Sequence, residues 1–370
     1  MKIAIIFGTR PEAIKVASTY HELKMKKIEV LSILTGQHQE MLYPVLDIFN
    51  IVPSYDLKLM KANQSLSELT GRMILELQKI VEKEKIDYIL VQGDTTSACI
   101  GALVGFYNRI PVGHIEAGLR TGNIYSPFPE EMNRKLISLL ASVHFAPTIE
   151  NVNNLLREGY EKSKIKITGN SVIDALQWIK SNKNNKLNEI REKLGLKEKK
   201  YILLTMHRRE NWGKPMEECL TAIRDYMLNK TDIYLVFPLH LNPKIREIAY
   251  QVFNNFERVI FLEPLEYLHF ISVLEGALYV MTDSGGIQEE APSLGKPVLV
   301  LRDSTERPEA IKAGTAILVG TNYLEVQKCM KLMETELFDQ MSCKVNPYGD
   351  GTTSKKIVEY LMEWNDQRNE

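Results

Sequence analysis

Long hydrophobic runs are missing from this chain of 370 residues. Its longest apolar stretches, such as Ile3–Phe7 and Ile233–Leu239, are the length of a strand and fall short of the roughly 18–20 residues that a membrane helix needs. We therefore expect no span across a bilayer. The short apolar run before Gly8 also lacks the extended apolar region and cleavage site of a signal peptide, which favours a cytoplasmic location.

The chain also has no excess of positive or negative charge and no closely spaced pair of cysteines. The 46 Lys and Arg residues balance 47 Asp and Glu residues, so the chain lacks the global basic field of proteins that bind nucleic acid. The four cysteines form no C-x-x-C pair, which favours reduced thiols over a metal site or a disulfide framework. Neither a Walker A loop nor G-x-G-x-x-G occurs, so the usual ATP and NAD fingerprints are absent.

What the chain does contain is two series of short apolar runs that alternate with helical periodicity. Continuous apolar runs suit strands covered on both faces of a parallel sheet. The runs are Lys2–Phe7, Ile28–Leu34, Tyr88–Val91, Val112–Ile115 and Val143–Ala146, then Tyr201–Thr205, Ile233–Phe237, Val259–Leu262, Leu278–Thr282, Val298–Leu301 and Ala316–Val319. They predict an α/β protein with two Rossmann-like, doubly wound domains. The polar segment Lys180–Lys200 is expected near the domain boundary.

Carboxylates and one histidine stand at the ends of these runs, where doubly wound sheets bind ligands. Asp94, Glu116 and Glu130 occur in separate post-strand or loop segments of the first half, and His207 follows the first strand of the second. Carboxylates gathered in a partly desolvated site acquire different pKa values, so one site can hold both a general acid and a general base. Taken singly, each residue is more often a helix cap or part of a surface ion pair.

The second half also contains a segment suited to an anion. Asp283-Ser284-Gly285-Gly286 lies between a predicted strand and helix, which directs backbone N–H groups toward a ligand such as phosphate. A simple helix-capping turn explains it equally well. The predicted helix that follows carries Glu290 toward a ribose diol. Three cations stand where a diphosphate could bind, namely Arg10, Lys15 and Arg307.

Seven motifs together resemble one family. They are FGTRPEAIK at 7–15, QGDTT at 92–96, HIEAGLRTG at 114–122, YSPFPEEMNR at 125–134, HRREN at 207–211, TDSGGIQEEAPSLGKPV at 282–298 and TERPE at 305–309. In this order they resemble the non-hydrolysing UDP-N-acetylglucosamine 2-epimerases, from residue 3 to about residue 351. The resemblance implies the GT-B fold, with the nucleotide sugar in a deep cleft between two Rossmann-like domains. The expected domains are residues 1–170 with a C-terminal crossover helix at 354–370, and a UDP-binding domain at 171–353.

The resemblance also implies a reaction. UDP-GlcNAc and UDP-ManNAc would be interconverted by anti elimination of UDP to 2-acetamidoglucal and re-addition, without a cofactor or a metal. The matching catalytic positions are Asp94, Glu116, Glu130 and His207. The matching substrate-binding positions are Arg10, Lys15, Phe270, Ser284, Gly285, Gly286, Glu290 and Arg307.

Further implications concern assembly and regulation. Bacterial members of the family bind a second UDP-GlcNAc as an activator, and the positions that match this allosteric site are Gln37, Glu40, Arg208 and His240. Glu40 stands where Gln is often found. The family is homodimeric, and its product supplies ManNAc for surface polysaccharide synthesis. Two alternatives share the fold or the substrate: a hydrolysing UDP-GlcNAc 2-epimerase, and a GT-B glycosyltransferase, which would need an acceptor.

Overall fold

The computed structural model describes residues 1–36, 39–61 and 63–369, which form two compact units. Unit 1 comprises Met1–Trp178 and Tyr348–Glu370, and unit 2 comprises Ile179–Pro347. The units divide inside the helix Ser171–Lys193, after Trp178. The division expected after residue 170 lies at the start of this helix. As limits of functional domains, the boundaries after residues 170 and 353 stay a prediction.

Unit 1 is built on a parallel sheet that has seven strands among the described residues. The strands are β1 (Lys2–Phe7), β2 (Glu29–Leu34), β3 (Tyr55–Asp56), β4 (Tyr88–Gln92), β5 (Val112–Ile115), β6 (Val143–Ala146) and β7 (Ile165–Ile167). Their spatial order is β3-β2-β1-β4-β5-β6-β7. β1 pairs with β2 on one side and β4 on the other, which explains why its apolar run is buried from Ile3 onward.

Helices connect these strands, and their apolar residues follow the spacing of one helix face. In α3 (Leu66–Glu84), the residues Leu69, Met73, Leu77 and Ile80 are all buried. The other connecting helices are α1 (Arg10–Met25), α2 (Gln39–Ile48), α4 (Thr96–Tyr107), α5 (Glu130–Leu140), α6 (Ile149–Arg157) and α7 (Ser171–Lys193).

Unit 2 repeats the arrangement with a parallel sheet of six strands in the part of the chain that the structure describes. The strands are β8 (Lys200–Thr205), β9 (Ile233–Pro238), β10 (Val259–Leu262), β11 (Val280–Thr282), β12 (Val298–Val300) and β13 (Ala316–Leu318), in the order β10-β9-β8-β11-β12-β13. The helices are α8 (Lys214–Leu228), α9 (Pro243–Val252), α10 (Tyr267–Gly276), α11 (Gly285–Glu290), α12 (Pro308–Ala313), α13 (Tyr323–Leu332) and α14 (Glu336–Ser342). The last helix of the chain, α15 (Thr353–Asn369), packs against α1 in unit 1.

The strand order determines which loops lie where a ligand can bind. Each sheet reverses its winding beside its first strand, between β1 and β4 in unit 1 and between β8 and β11 in unit 2. Such switch points are where doubly wound sheets bind ligands. The predicted fold class, two parallel-sheet α/β units, is confirmed. Within the described residues, no helix is both long enough and apolar enough to cross a membrane.

Candidate active site

Glu116 lies directly after β5, and two neighbouring elements donate hydrogen bonds to it. The Lys15 Nζ atom on α1 lies 2.5 Å from Oε1 and 2.7 Å from Oε2, and the Gln92 amide at the end of β4 donates to Oε2. The backbone of Glu116 has φ +65°, a left-handed conformation that is uncommon outside glycine and concentrates at functional sites. The structure therefore brings together two predicted residues, Lys15 and Glu116.

Asp94 follows β4, and its carboxylate is held by an arginine. The Arg134 Nε and Nη2 atoms on α5 lie 2.9 and 2.7 Å from Asp94 Oδ2, and the Asn133 amide donates to the Asp94 carbonyl oxygen at 2.9 Å. Arg134 also donates to Glu131 at 2.7 Å. Because α5 supplies both partners, it fixes the side chain and the backbone of Asp94.

Two more predicted residues of unit 1 stand at helix starts. Glu130 is the first residue of α5, and Arg10 is the first residue of α1, and both are half-buried. The residue after Glu130, Glu131, is fully buried and accepts hydrogen bonds from the backbone N–H groups of Thr121 and Gly122 at 3.1 and 3.3 Å. This bonding joins α5 to the loop that leaves Glu116.

A buried histidine supports the loop between β4 and Asp94. The His114 Nε2 atom lies 2.7 Å from the Gly93 carbonyl oxygen, and burial lowers the pKa of His114 to about 3. Its ring is therefore neutral near pH 7. Because the partner is a carbonyl oxygen, Nε2 carries the proton and donates the hydrogen bond. This bond fixes the backbone at Gly93, the residue before Asp94.

In unit 2, His207 follows β8 and packs beside the buried carboxylate of Asp283, which follows β11. The His207 backbone N–H donates to Asp283 at 2.9 Å, the Arg208 N–H at 2.8 Å and the Asn211 amide at 3.0 Å. The His207 Nδ1 atom lies 3.3 Å from Asp283 Oδ1. Burial lowers the pKa of His207, and the Asp283 carboxylate opposes that shift.

The predicted anion segment begins α11, with Ser284 at its N-cap and Gly285 and Gly286 as its first residues. The Gln288 amide of the same helix donates to the Ser284 carbonyl oxygen at 3.1 Å, and its own oxygen accepts from Thr305 at 2.7 Å. The short loop before α12 is therefore tied to the start of α11.

The three remaining predicted residues lie around this segment. The Arg307 Nε atom donates to the buried Glu289, and the Tyr267 hydroxyl donates to Glu290 at 3.1 Å. Phe270 is half-buried on α10, one turn after Tyr267. Arg307 and Glu290 thus have partners on neighbouring elements that fix their orientation.

The expected allosteric residues are only partly described. Gln37 and the side chain of Glu40 lie outside the described residues. The rings of His207 and His240 stack with centroids 6.2 Å apart. A Cβ atom at Gly285 would lie 4.0 Å from Arg208 Nη2, so the Arg208 guanidinium faces the start of α11. Arg208 and His240 therefore both neighbour residues of the candidate active site.

The supporting roles of several residues were not predicted from the sequence. Arg134 and Gln92 stabilise predicted carboxylates, and Asp283 stabilises the loop of His207. None of these pairings leaves a local sequence pattern, since the partners are far apart in the chain. Glu12, described below, does have a local signal, the T-x-x-E spacing from Thr9 that is typical of a helix start.

Two doubly wound units with polar loops at their switch points define an α/β protein of the GT-B class. The family model for UDP-N-acetylglucosamine 2-epimerase matches residues 21–362. The chain is 48% identical over 370 residues to the UDP-N-acetylglucosamine 2-epimerase of Escherichia coli (strain K12), with 98% of each chain covered. The chain belongs to the UDP-N-acetylglucosamine 2-epimerase family.

Two solved structures agree with this assignment. The UDP-GlcNAc 2-epimerase from Neisseria meningitidis bound to UDP-GlcNAc is 45% identical, with a TM-score of 0.86 and coverage of 98% of this chain and 100% of that one. The Methanocaldococcus jannaschii UDP-GlcNAc 2-epimerase in complex with UDP-GlcNAc and UDP is 34% identical, with a TM-score of 0.78 and the same coverage.

Proposed function

We propose that this protein reversibly epimerises UDP-GlcNAc at C-2 to give UDP-ManNAc, without hydrolysing it. The observation that carries the proposal is that the chain belongs to this family and that two carboxylates assigned to the chemistry, Asp94 and Glu116, follow the adjacent strands β4 and β5. The reaction consumes no nicotinamide, because the sugar passes through elimination and re-addition rather than oxidation.

The chemistry makes specific demands on the site. The C-2 proton is not acidic in the ground state and becomes so only when the anomeric C–O bond stretches and C-1 gains oxocarbenium character. The enzyme must therefore stabilise the departing diphosphate and present carboxylates to the sugar ring. We assign proton transfer at C-2 and stabilisation of the developing positive charge to Asp94, Glu116 and Glu130.

The geometry of Glu116 and Asp94 supports this assignment. Each carboxylate has a cation beside it, Lys15 in one case and Arg134 in the other, and these ion pairs hold the two side chains in place. We assign support of the departing UDP to His207, Arg10 and Lys15.

UDP recognition falls to unit 2 in this proposal. Ser284, Gly285 and Gly286 hold the diphosphate through backbone N–H groups at the start of α11, and Glu290 accepts from the ribose hydroxyls. Phe270 packs against uracil, and Arg307 faces the phosphate or sugar. The bonding of Glu290 to Tyr267 and of Arg307 to Glu289 supports these roles, since each side chain is oriented before a ligand binds.

The test is proton and phosphorus NMR of UDP-GlcNAc with this protein in deuterium oxide, without an added cofactor. We expect UDP-ManNAc with deuterium at C-2. Free ManNAc and UDP would indicate the hydrolysing reaction instead. Binding without turnover, followed by transfer when an acceptor is added, would indicate a glycosyltransferase. The Glu116→Gln variant, prepared identically, serves as the control against a contaminating epimerase and should incorporate far less deuterium.

We also propose that the protein acts as a homodimer in the cytoplasm and that its product supplies surface polysaccharide synthesis. We propose in addition that a second UDP-GlcNAc activates it at Gln37, Glu40, Arg208 and His240.

The dimer is supported by apolar side chains exposed on neighbouring helices of unit 1: Leu75 on α3, Phe106 and Tyr107 on α4, and Leu139 on α5. Light scattering after gel filtration measures the assembly, and Leu139→Asp should weaken it.

A further inference from the structure

Glu12, on the first turn of α1, is a buried carboxylate that accepts four hydrogen bonds. Glu12 is only 1% exposed to solvent. The Oε2 atom accepts from the backbone N–H groups of Gly8 and Thr9 at 3.0 and 2.8 Å and from the Thr9 hydroxyl at 2.8 Å. The Oε1 atom accepts from the Thr95 hydroxyl at 2.7 Å. Buried in this way, Glu12 has no surface to offer a substrate.

These four bonds join two loops that carry predicted site residues. Gly8 and Thr9 form the loop between β1 and α1, which is followed at once by Arg10. Thr95 follows Asp94 and caps α4, where its hydroxyl also accepts from the Ala98 N–H at 3.0 Å. Glu12 is thus a shared acceptor for the starts of α1 and α4, on either side of the switch point of unit 1.

A comparison with a second glutamate, Glu68, shows which features of Glu12 are unusual. Glu68 has the same place in the first turn of α3, and its Oε2 accepts from the Ser65 N–H at 2.7 Å and the Ser65 hydroxyl at 2.9 Å. Glu68 is exposed, and the Ser65 backbone N–H lowers its pKa. Burial instead raises the pKa of Glu12 to about 7, against the effect of its hydrogen bonds. Capping a helix therefore requires neither burial nor a partner on a second helix, and Glu12 has both.

We propose that Glu12 is a positioning residue, whose carboxylate sets the placement of Arg10 and Lys15 relative to Asp94. This inference rests on the proposed function, because it assigns those three residues to one reaction. The physical basis is that Gly8, Thr9 and Thr95 all donate hydrogen bonds to this one carboxylate. When that acceptor is weakened, the starts of α1 and α4 are free to shift against each other. Displacements of about 1 Å near reacting groups lower rates by up to about 100-fold.

The experiment compares two matched variants, Glu12→Gln and Glu68→Gln, each of which replaces a capping carboxylate by a neutral amide of the same shape. In Glu12→Gln the amide nitrogen must take the place of Oε1 and face the Thr95 hydroxyl, because the Oε2 position faces the backbone N–H groups of Gly8 and Thr9. The assay is run near pH 8.5, above the raised pKa of Glu12, so that its carboxylate is ionised. We expect kcat to fall about tenfold, the factor that corresponds to exchanging charged for neutral hydrogen bonds, with KM changed less than about threefold. Glu68→Gln should keep the kcat of the unmodified protein.

A second pair of variants separates positioning from general stability. Thr95→Val removes the hydroxyl and should lower kcat about as much as Glu12→Gln, whereas Thr95→Ser retains the hydroxyl and should restore kcat to within about twofold. The double variant Glu12→Gln/Thr95→Val should lose little more than either single variant, because both changes break the same connection.

The outcomes distinguish a failure of the proposed function from a failure of the positioning role of Glu12. If the unmodified protein does not convert UDP-GlcNAc, the proposed function fails, whatever the variants do. If it does, and Glu12→Gln behaves like Glu68→Gln, the positioning role is refuted. Multiplicative losses in the double variant, or equal losses in Thr95→Ser and Thr95→Val, would also overturn it, since a role through the shared hydroxyl predicts neither.

Discussion

Replacing Asp283 by Asn should destabilise unit 2 and disable the loop of His207 together. In the structure, Asp283 Oδ2 accepts three hydrogen bonds of 2.8 to 3.0 Å, from the N–H groups of His207 and Arg208 and from the Asn211 amide. An asparagine oxygen at that position keeps the three bonds but loses the charge. Bonds to charged groups contribute about 1 kcal/mol more than neutral ones, so the expected loss is about 3 kcal/mol.

The assay is thermal unfolding with kcat measured on the same preparation. For a unit of this size the loss corresponds to a midpoint about 6–12 °C lower. The pKa of His207 should fall further, because the carboxylate that opposes its depression is gone. The control is Asp232→Asn in the same unit, whose exposed pair with Lys200 at 3.3 Å should contribute less than about 1 kcal/mol. An Asp283→Asn protein as stable and as active as this control would refute the reasoning.

Three further predictions concern unit 1. Glu116→Gln should lower kcat by about 100-fold or more, measured by conversion of UDP-GlcNAc; a kcat within threefold of the parent would exclude Glu116 from proton transfer. The pKa of His114 is lowered from 6.5 to about 3, so the unfolded chain binds this proton first, and the stability contributed by the neutral ring is present above pH 6.5 and lost as pH falls toward 3. In His114→Asn, urea midpoints between pH 7 and 4 should fall less steeply than in the parent, and parallel curves would contradict the assignment. Gly118→Ala should destabilise by about 2 kcal/mol or more, because φ is +93° and the new Cβ would lie 2.4 Å from the Asn151 carbonyl oxygen. Gly71→Ala on α3, where a Cβ meets nothing within 4 Å, should instead stabilise slightly in the same denaturation assay.

The sequence predicted most strands closely because a buried parallel strand leaves a continuous apolar run. β1 spans Lys2–Phe7, the predicted run, and β5 and β6 also agree with their runs. β3 has only two residues, which is too short to leave a pattern. The polar segment expected near a domain boundary is helical as far as Lys193, since a sparse stripe that includes the buried Leu187 and Ile190 is enough to anchor one face of α7.

The candidate site was predictable to the extent that the fold determines it. Doubly wound sheets bind ligands beyond the carboxyl ends of their strands, and this rule selects the loops after the apolar runs, and with them Asp94 and His207. The partners that orient these residues follow no such rule. Arg134 is 40 residues from Asp94, and Asp283 is 76 residues from His207. Such pairs are created by tertiary packing, so a single sequence carries no local signal for them.

The shared strand order of the two units has a consequence for how this protein can change over generations. Each set of loops is anchored to its own hydrophobic core, with Leu77 and Ile89 among the buried residues of unit 1 and Phe237 and Met281 among those of unit 2. Substitutions that reshape the loops after β8 and β11 leave the scaffold beneath Asp94 and Glu116 intact. Under the proposed function, the loop segments that recognise uridine and diphosphate can therefore change without disturbing the scaffold of the carboxylates assigned to proton transfer.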